Sequence, residues 1–292
     1  MTRSCAPQSS LKRAMRPWVA AAVAALLALG LAKPALSEAT GSPDVLVLGD
    51  SQLTFGAGAA FVDLLTGMAG TCGLGPEATI GVIGVRSSSL LSWSGRTKAA
   101  KRAICNVDPK WRVNAAAYGT LSQGKSPFVQ IGRGAQFQFC TPEHSPLQAV
   151  FHDGYYKPKL VIMFLMGNAA DRWAASPDAA LEDARAFTAD LPAGQPCIFM
   201  TSAPPYREKD VSLRQKAQDN IEKAFDQIGH CSFVPGLTAE TIAENLGNPA
   251  NFRSKPSGRV KDPLHPTEAA ARRFLHLRQE ALCAAMSLQL AP

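Results

Sequence analysis

Two features of this chain could do chemistry together: a serine at the end of an apolar run, and a histidine three residues after an aspartate. The serine is Ser51 in VLVLGDSQLTFG, residues 45–56; the histidine is His265 in KDPLHPTEAAARRF, preceded by Asp262. A hydroxyl is a weak nucleophile until a base takes its proton, and the base works best when a third group orients it. Asp262 and His265 share a short loop stiffened by Pro263 and Pro266, so one element can supply both orienting carboxylate and base. In the serine segment, Gly49 permits a tight strand-to-helix turn, Asp50 can brace it through nearby backbone, and Ser51 stands at the helix start. Read alone, Asp50 and Ser51 would be helix caps and His265 a surface residue.

These groups need a scaffold. Apolar runs of strand length recur at 45–48, 79–85, 160–166, 197–200 and, more weakly, 231–234. Continuous rather than alternating hydrophobicity predicts strands covered on both faces, as in a parallel sheet. Helical patterns lie between them, over PDAALEDARAFTADL from Pro177 and LRQKAQDNIEKAFDQIG from Leu213, and a last helix is expected from Thr267 to about Met286. Strands alternating with helices predict a three-layer α/β/α sandwich with a mostly parallel central sheet and right-handed crossovers. The Gly-rich stretch at about 95–158 fits this pattern poorly and reads as a loop-rich insertion, with His144 and His152 near its end.

Arg3, Lys12, Arg13 and Arg16 precede an apolar run from Trp18 to Ala32, followed by small residues at Ala35 and Ser37. That order predicts a secretory signal peptide over 1–37, leaving one domain over 38–292 and a periplasmic or secreted product. Fifteen apolar residues are fewer than the roughly 20 a spanning helix needs, so no stable membrane anchor is expected after cleavage. The formal charge of +7 falls to +2 once five basic residues leave with the leader. No dense Lys/Arg block remains, and nucleic-acid binding is not expected. Six cysteines stay in the mature chain without a CxxC spacing, which suits disulfides better than zinc. Cys197 and Cys231, each beside an apparent strand, are candidate neighbours.

The GDSQ block near the start of the mature chain and the DPLHP block near its end resemble the first and last blocks of the SGNH/GDSL hydrolase family. The resemblance spans the mature chain and implies a flavodoxin-like α/β/α fold. It also implies Ser51 as nucleophile, His265 as base and Asp262 as orienting acid. The family's two middle blocks supply donors to the oxyanion of a tetrahedral intermediate. In LVIMFLMGNAADRW the matching donor is Asn168, with Gly167 adjacent to it rather than two residues before. In IGVRSSSLLSW the best match is Ser87, with Gly84 as the alternative, and the Ser51 N–H is a further donor. Gln52 stands where the family has leucine.

Trp93, Trp111 and Trp173 could stack on sugar rings, the first and last of them following the two donor loops, while Arg86 and Arg172 could read an acidic substrate group. All three tryptophans could equally be core residues. The expected activity is that of an exported serine esterase removing an acyl group, O-acetyl foremost, from a carbohydrate, cell-envelope or small acyl-ester substrate. Three alternatives stay open: a lipid or aryl acyl-ester hydrolase of lysophospholipase or thioesterase type, a polysaccharide O-acetyltransferase, and a catalytically silent envelope protein. The triad chemistry needs no cofactor and no metal; the sequence leaves the oligomeric state open.

Overall fold

In the computed structural model, residues 42–97, 144–151 and 156–291 are described. The expected leader, most of the insertion, Trp111, His152, Cys105 and Cys140 lie outside them. Five strands, β1 (Val45–Gly49), β2 (Ile80–Gly84), β3 (Leu160–Phe164), β4 (Cys197–Met200) and β5 (Ser232–Val234), form one sheet. Their order is β2-β1-β3-β4-β5 and every pairing is parallel. This is the three-layer α/β/α sandwich, with a doubly wound order whose direction of winding reverses between β1 and β3.

The strand residues alternate between two cores, which explains why each run is apolar throughout. Leu46, Leu48, Val161, Met163 and Phe199 face one cluster, with Trp93, Trp173, Phe187 and Phe225. Val45, Val47, Ile162, Phe164 and Met200 face the other, with Phe61, Phe274 and Leu282. The first core is covered by α2 (Leu90–Ser94), α4 (Ala170–Ala175), α5 (Pro177–Asp190) and α6 (Glu208–Ile228), and the second by α1 (Gly58–Gly67), α8 (Glu268–Leu277) and α9 (Gln279–Gln289). Two shorter helices are α3 (Pro146–Phe151) and α7 (Ala239–Asn245).

Helix boundaries follow local chemistry. Helix α5 starts at Pro177, with the Ser176 hydroxyl accepting the Ala179 N–H at 3.2 Å. Helix α6 begins at Glu208, five residues before the apolar periodicity suggests, and ends on left-handed Gly229. The expected last helix is two, α8 and α9, separated at Arg278, whose ψ of 1° interrupts the helical path. Two disulfides are formed among the described residues. Cys197–Cys231 ties β4 to the approach of β5, and Cys72–Cys283 ties the segment after α1 to α9.

Register is what prepares the site. Gly49 pairs with Gly84 on one side and with Phe164 on the other, so β1, β2 and β3 end level. The loops that follow therefore emerge together at the carboxyl edge, where the winding reverses and such sheets bind ligands. Glycine at 49 is required by close approach: a Cβ there would lie 2.0 Å from the Phe164 carbonyl oxygen.

Candidate active site

Ser51 follows β1 directly. Buried Asp50 accepts the Gln52 N–H at 2.8 Å, closing the turn as its sequence suggests. The chain then enters an irregular helical turn, Leu53–Ala57, in which Gly56 leaves helical geometry at φ 137°. A Cβ at Gly56 would come within 2.8 Å of the Glu268 Cα, so this glycine lets the start of α8 approach the serine segment. The loop carrying Asp262 and His265 runs directly into α8 and is drawn in with it.

Across 214 residues of sequence, the Ser51 hydroxyl lies 2.8 Å from His265 Nε2. The other imidazole nitrogen, Nδ1, lies 3.0 and 2.9 Å from the two Asp262 carboxylate oxygens. With Nδ1–H donating to the carboxylate, Nε2 is left as an acceptor for the serine proton. Asp262 also accepts the Leu264 and His265 N–H groups, each at 3.2 Å, which folds the loop around the carboxylate. Arg253 bonds its outer oxygen. Burial acts to raise the Asp262 pKa, but the bonds from His265, Arg253 and Leu264 outweigh it, and the group is held well below the ordinary carboxylate range.

The surrounding cavity, about 240 Å³, is lined by Asp50, Ser51, Phe55, Ser87, Asn168 and His265 among others. Ser87 is exposed and adopts a left-handed backbone, φ 61°, unusual for a residue with a side chain. Among the described residues its N–H has no hydrogen-bond partner. Asn168 donates one amide hydrogen to the Ser88 carbonyl at 2.8 Å, which fixes the side chain and leaves the second hydrogen for another acceptor. Gly84 is a different case. It is buried at the end of β2, and a Cβ there would meet Leu53 Cβ at 2.8 Å, so it serves packing and does not line the cavity.

Both tryptophans that follow the donor loops are withdrawn from the site. Trp93 is 1% exposed and donates to the Ser88 hydroxyl; Trp173 is fully buried and donates to Asp183 at 2.8 Å. Neither can offer a ring face to a ligand, because each completes the core under a donor loop and spends its N–H inside. Arg172 likewise clamps Asp183 and Glu182. Arg86 does line the cavity, stacked over the Phe55 ring at 4.3 Å.

Several residues of the site are not apparent from motif spacing. The Gln52 amide donates to the Leu264 carbonyl at 2.7 Å, tying the serine turn to the histidine loop. Phe55 packs on His265, and Arg253 covers the same phenyl ring at 4.4 Å. Arg214, from α6, reaches the cavity floor 5% exposed, where it bonds the Ala203 carbonyl at 3.4 Å. Burial pushes Asp50 up and Arg214 down, and their mutual attraction offsets part of each shift. The Gln52 position and the i, i+4 spacing of Phe55 from Ser51 were the available signals; Arg214 carried none.

No family model and no curated protein sequence matches the chain. Solved structures that the chain resembles in part share little sequence with it. One is a candidate platelet activating factor from Streptococcus pneumonia, 14% identical over 90% of this chain and 99% of that one, with a TM-score of 0.43. A DUF4886 family protein from Bacteroides uniformis is 13% identical over 85% and 93% of the two chains, TM-score 0.44. A peptidoglycan O-acetylesterase is 15% identical over 47% of this chain and 39% of its own, TM-score 0.32.

Proposed function

We propose that this protein is an exported serine esterase of SGNH/GDSL type, acting on O-acyl, foremost O-acetyl, esters of a carbohydrate or cell-envelope substrate. The observation that carries the reading is the chain of contacts from Ser51 through His265 to Asp262 at 2.8 and 2.9 Å. A serine hydroxyl, an imidazole and a carboxylate in that order is the arrangement that nucleophilic acyl transfer requires. The two disulfides among the described residues support an oxidising compartment and hence export.

In this mechanism Ser51 Oγ attacks the ester carbonyl carbon while His265 Nε2 takes the hydroxyl proton. The carbonyl π pair moves onto oxygen, and the oxyanion is met by the N–H groups of Ser51 and Ser87 and the free amide hydrogen of Asn168. Asp262 holds the ring and stabilises the imidazolium. When the pair returns, the C–O bond to the alcohol breaks and the imidazolium proton goes to the departing alkoxide. Water, deprotonated by His265, then attacks the acyl-enzyme, and the second collapse returns serine and releases the acid. A cavity of about 240 Å³ suits a short acyl group.

The test is release of p-nitrophenol from acetyl, butyryl and octanoyl esters, with fluorophosphonate labelling, for the purified protein and Ser51→Ala. Ser51-dependent turnover concentrated on acetate is expected. Turnover unchanged in Ser51→Ala, or no labelling of Ser51, overturns the reading, and a preference for octanoate redirects it to lipids.

A further inference from the structure

The segment that supplies Asp262 and His265 also carries a concentration of positive charge. From Arg253 to Lys261 four of nine residues are basic and none is acidic. The segment folds as a small hairpin: Ser254 bridges Val260, Phe252 bridges Pro266, and the Lys255 N–H donates to the Arg259 carbonyl at 2.8 Å. Its turn is closed by left-handed Gly258, φ 78°. Lys255, Arg259 and Lys261 are already close in sequence, and folding adds Arg207 from a separate segment to them.

These three cations and Arg207 line a cavity of about 560 Å³ with Tyr206 and Pro263, and no acidic residue lines it. None of the four enters an ion pair among the described residues. The Tyr206 ring meets Phe252 edge-on at 5.6 Å, and its N–H donates to the Pro263 carbonyl at 2.8 Å, which locks the cavity wall to the histidine loop. Pro263, in the cavity wall, is two residues from His265, so their Cα atoms lie no more than about 7 Å apart.

We infer that this basic cavity is a subsite for the carboxylate or phosphate groups of an anionic glycan that delivers its ester to Ser51. The delivery part rests on the esterase reading. Cations spaced along a hairpin suit regularly spaced anions of a polymer, and a tyrosine in the wall offers a flat apolar surface to a sugar ring. Because the subsite and the acid–base pair share one hairpin, the anionic polymer it holds is the polymer whose ester reaches the serine. Nucleic acid fits the charge but, aminoacylated tRNA aside, carries no acyl ester to present.

The experiment reads binding in the Ser51→Ala background, so nothing is turned over. Titration calorimetry is run with an oligogalacturonate, a glycerol-phosphate oligomer and a neutral cello-oligosaccharide at low and high salt. Binding of at least one anionic oligomer is expected, weakened by salt, with the neutral one much weaker. Lys255→Glu with Arg259→Glu, both at the exposed hairpin tip, should weaken it by about tenfold or more, and Arg207→Gln, on a separate element, should weaken it to a smaller extent. Which oligomer binds identifies carboxylate or phosphate as the ligand. No binding by either, equal binding of the neutral oligomer, or unchanged affinity in both variants overturns the subsite. A protein that binds the anionic oligomer yet hydrolyses no small neutral ester retains the subsite and loses the esterase reading; the converse does the reverse.

Discussion

Phe55 packs against the ring of His265, with centroids 4.5 Å apart and planes tilted by 41°. The same phenyl ring has the Arg86 and Arg253 guanidiniums over it at 4.3 and 4.4 Å, and Arg253 in turn bonds Asp262. One aromatic side chain, four residues after the proposed nucleophile, therefore steadies the base and the cation behind its orienting acid. Removing the ring should loosen the imidazole more than the fold, since Phe55 is only half-buried. Phe55→Ala is expected to lower kcat/KM on p-nitrophenyl acetate about tenfold or more through misplacement of His265, with Phe55→Tyr close to wild type. Equal kinetics in the alanine variant would mean that the loop hydrogen bonds alone fix the ring.

Asp262 and Arg253 should separate cleanly in kinetics. Asp262→Asn removes the carboxylate that holds the Nδ1–H tautomer and stabilises the imidazolium, a change expected to cut kcat by about 10⁴. Arg253→Gln leaves the carboxylate in place and removes the cation that bonds its outer oxygen and covers Phe55, so a loss of about tenfold is expected. Steady-state kinetics on the acetyl ester check both values. Arg253→Gln falling as far as Asp262→Asn would make the guanidinium part of the reacting machinery.

The strands and the serine–histidine pairing were legible because each leaves a local mark: a continuous apolar run, a GDS turn, an aspartate three residues before a histidine. The break of the last helix at Arg278 left none, since neither glycine nor proline marks it and the apolar periodicity continues from α8 into α9. Trp93 and Trp173 misled for a related reason. Proximity in sequence to a loop does not say on which side of the sheet edge a side chain falls, and both rings turn inward to fill the core. Phe55 and Arg253 gain their positions only from the crossing of distant segments, and Arg214 is a cation on the buried side of α6, where residue type alone would place it in solvent.

The two disulfides close loops of very different size, with partners 211 and 34 residues apart. Chain-entropy estimates give about 5 kcal/mol for the longer and about 4 kcal/mol for the shorter. Cys72→Ala with Cys283→Ala is thus expected to lower the unfolding midpoint in denaturant at least as much as Cys197→Ala with Cys231→Ala. None of the four cysteines lines the cavity at Ser51, so activity per folded molecule should be retained. A reductant that leaves the midpoint unmoved would contradict the contribution of either bridge.

Arg214 offers a stability test with a defined sign. Burial raises the Asp50 pKa in the folded state, and the nearby Arg214 charge pulls it part of the way back. A carboxyl with a raised folded pKa binds a proton in the native state that the unfolded chain has already lost above about 3.9, so this group costs stability as pH rises. Arg214→Met removes the attraction, raises the folded pKa further and extends that cost to higher pH. The variant should therefore be less stable than wild type by a margin that widens from pH 5 to pH 8, reaching on the order of 3 kcal/mol as for a buried charge stripped of its partner. Denaturant unfolding at the two pH values measures the margin. An equal deficit at both would assign Arg214 to packing beneath Gly167, where its guanidinium already lies 3.0 Å from the position of an added Cβ, and not to the titration of Asp50.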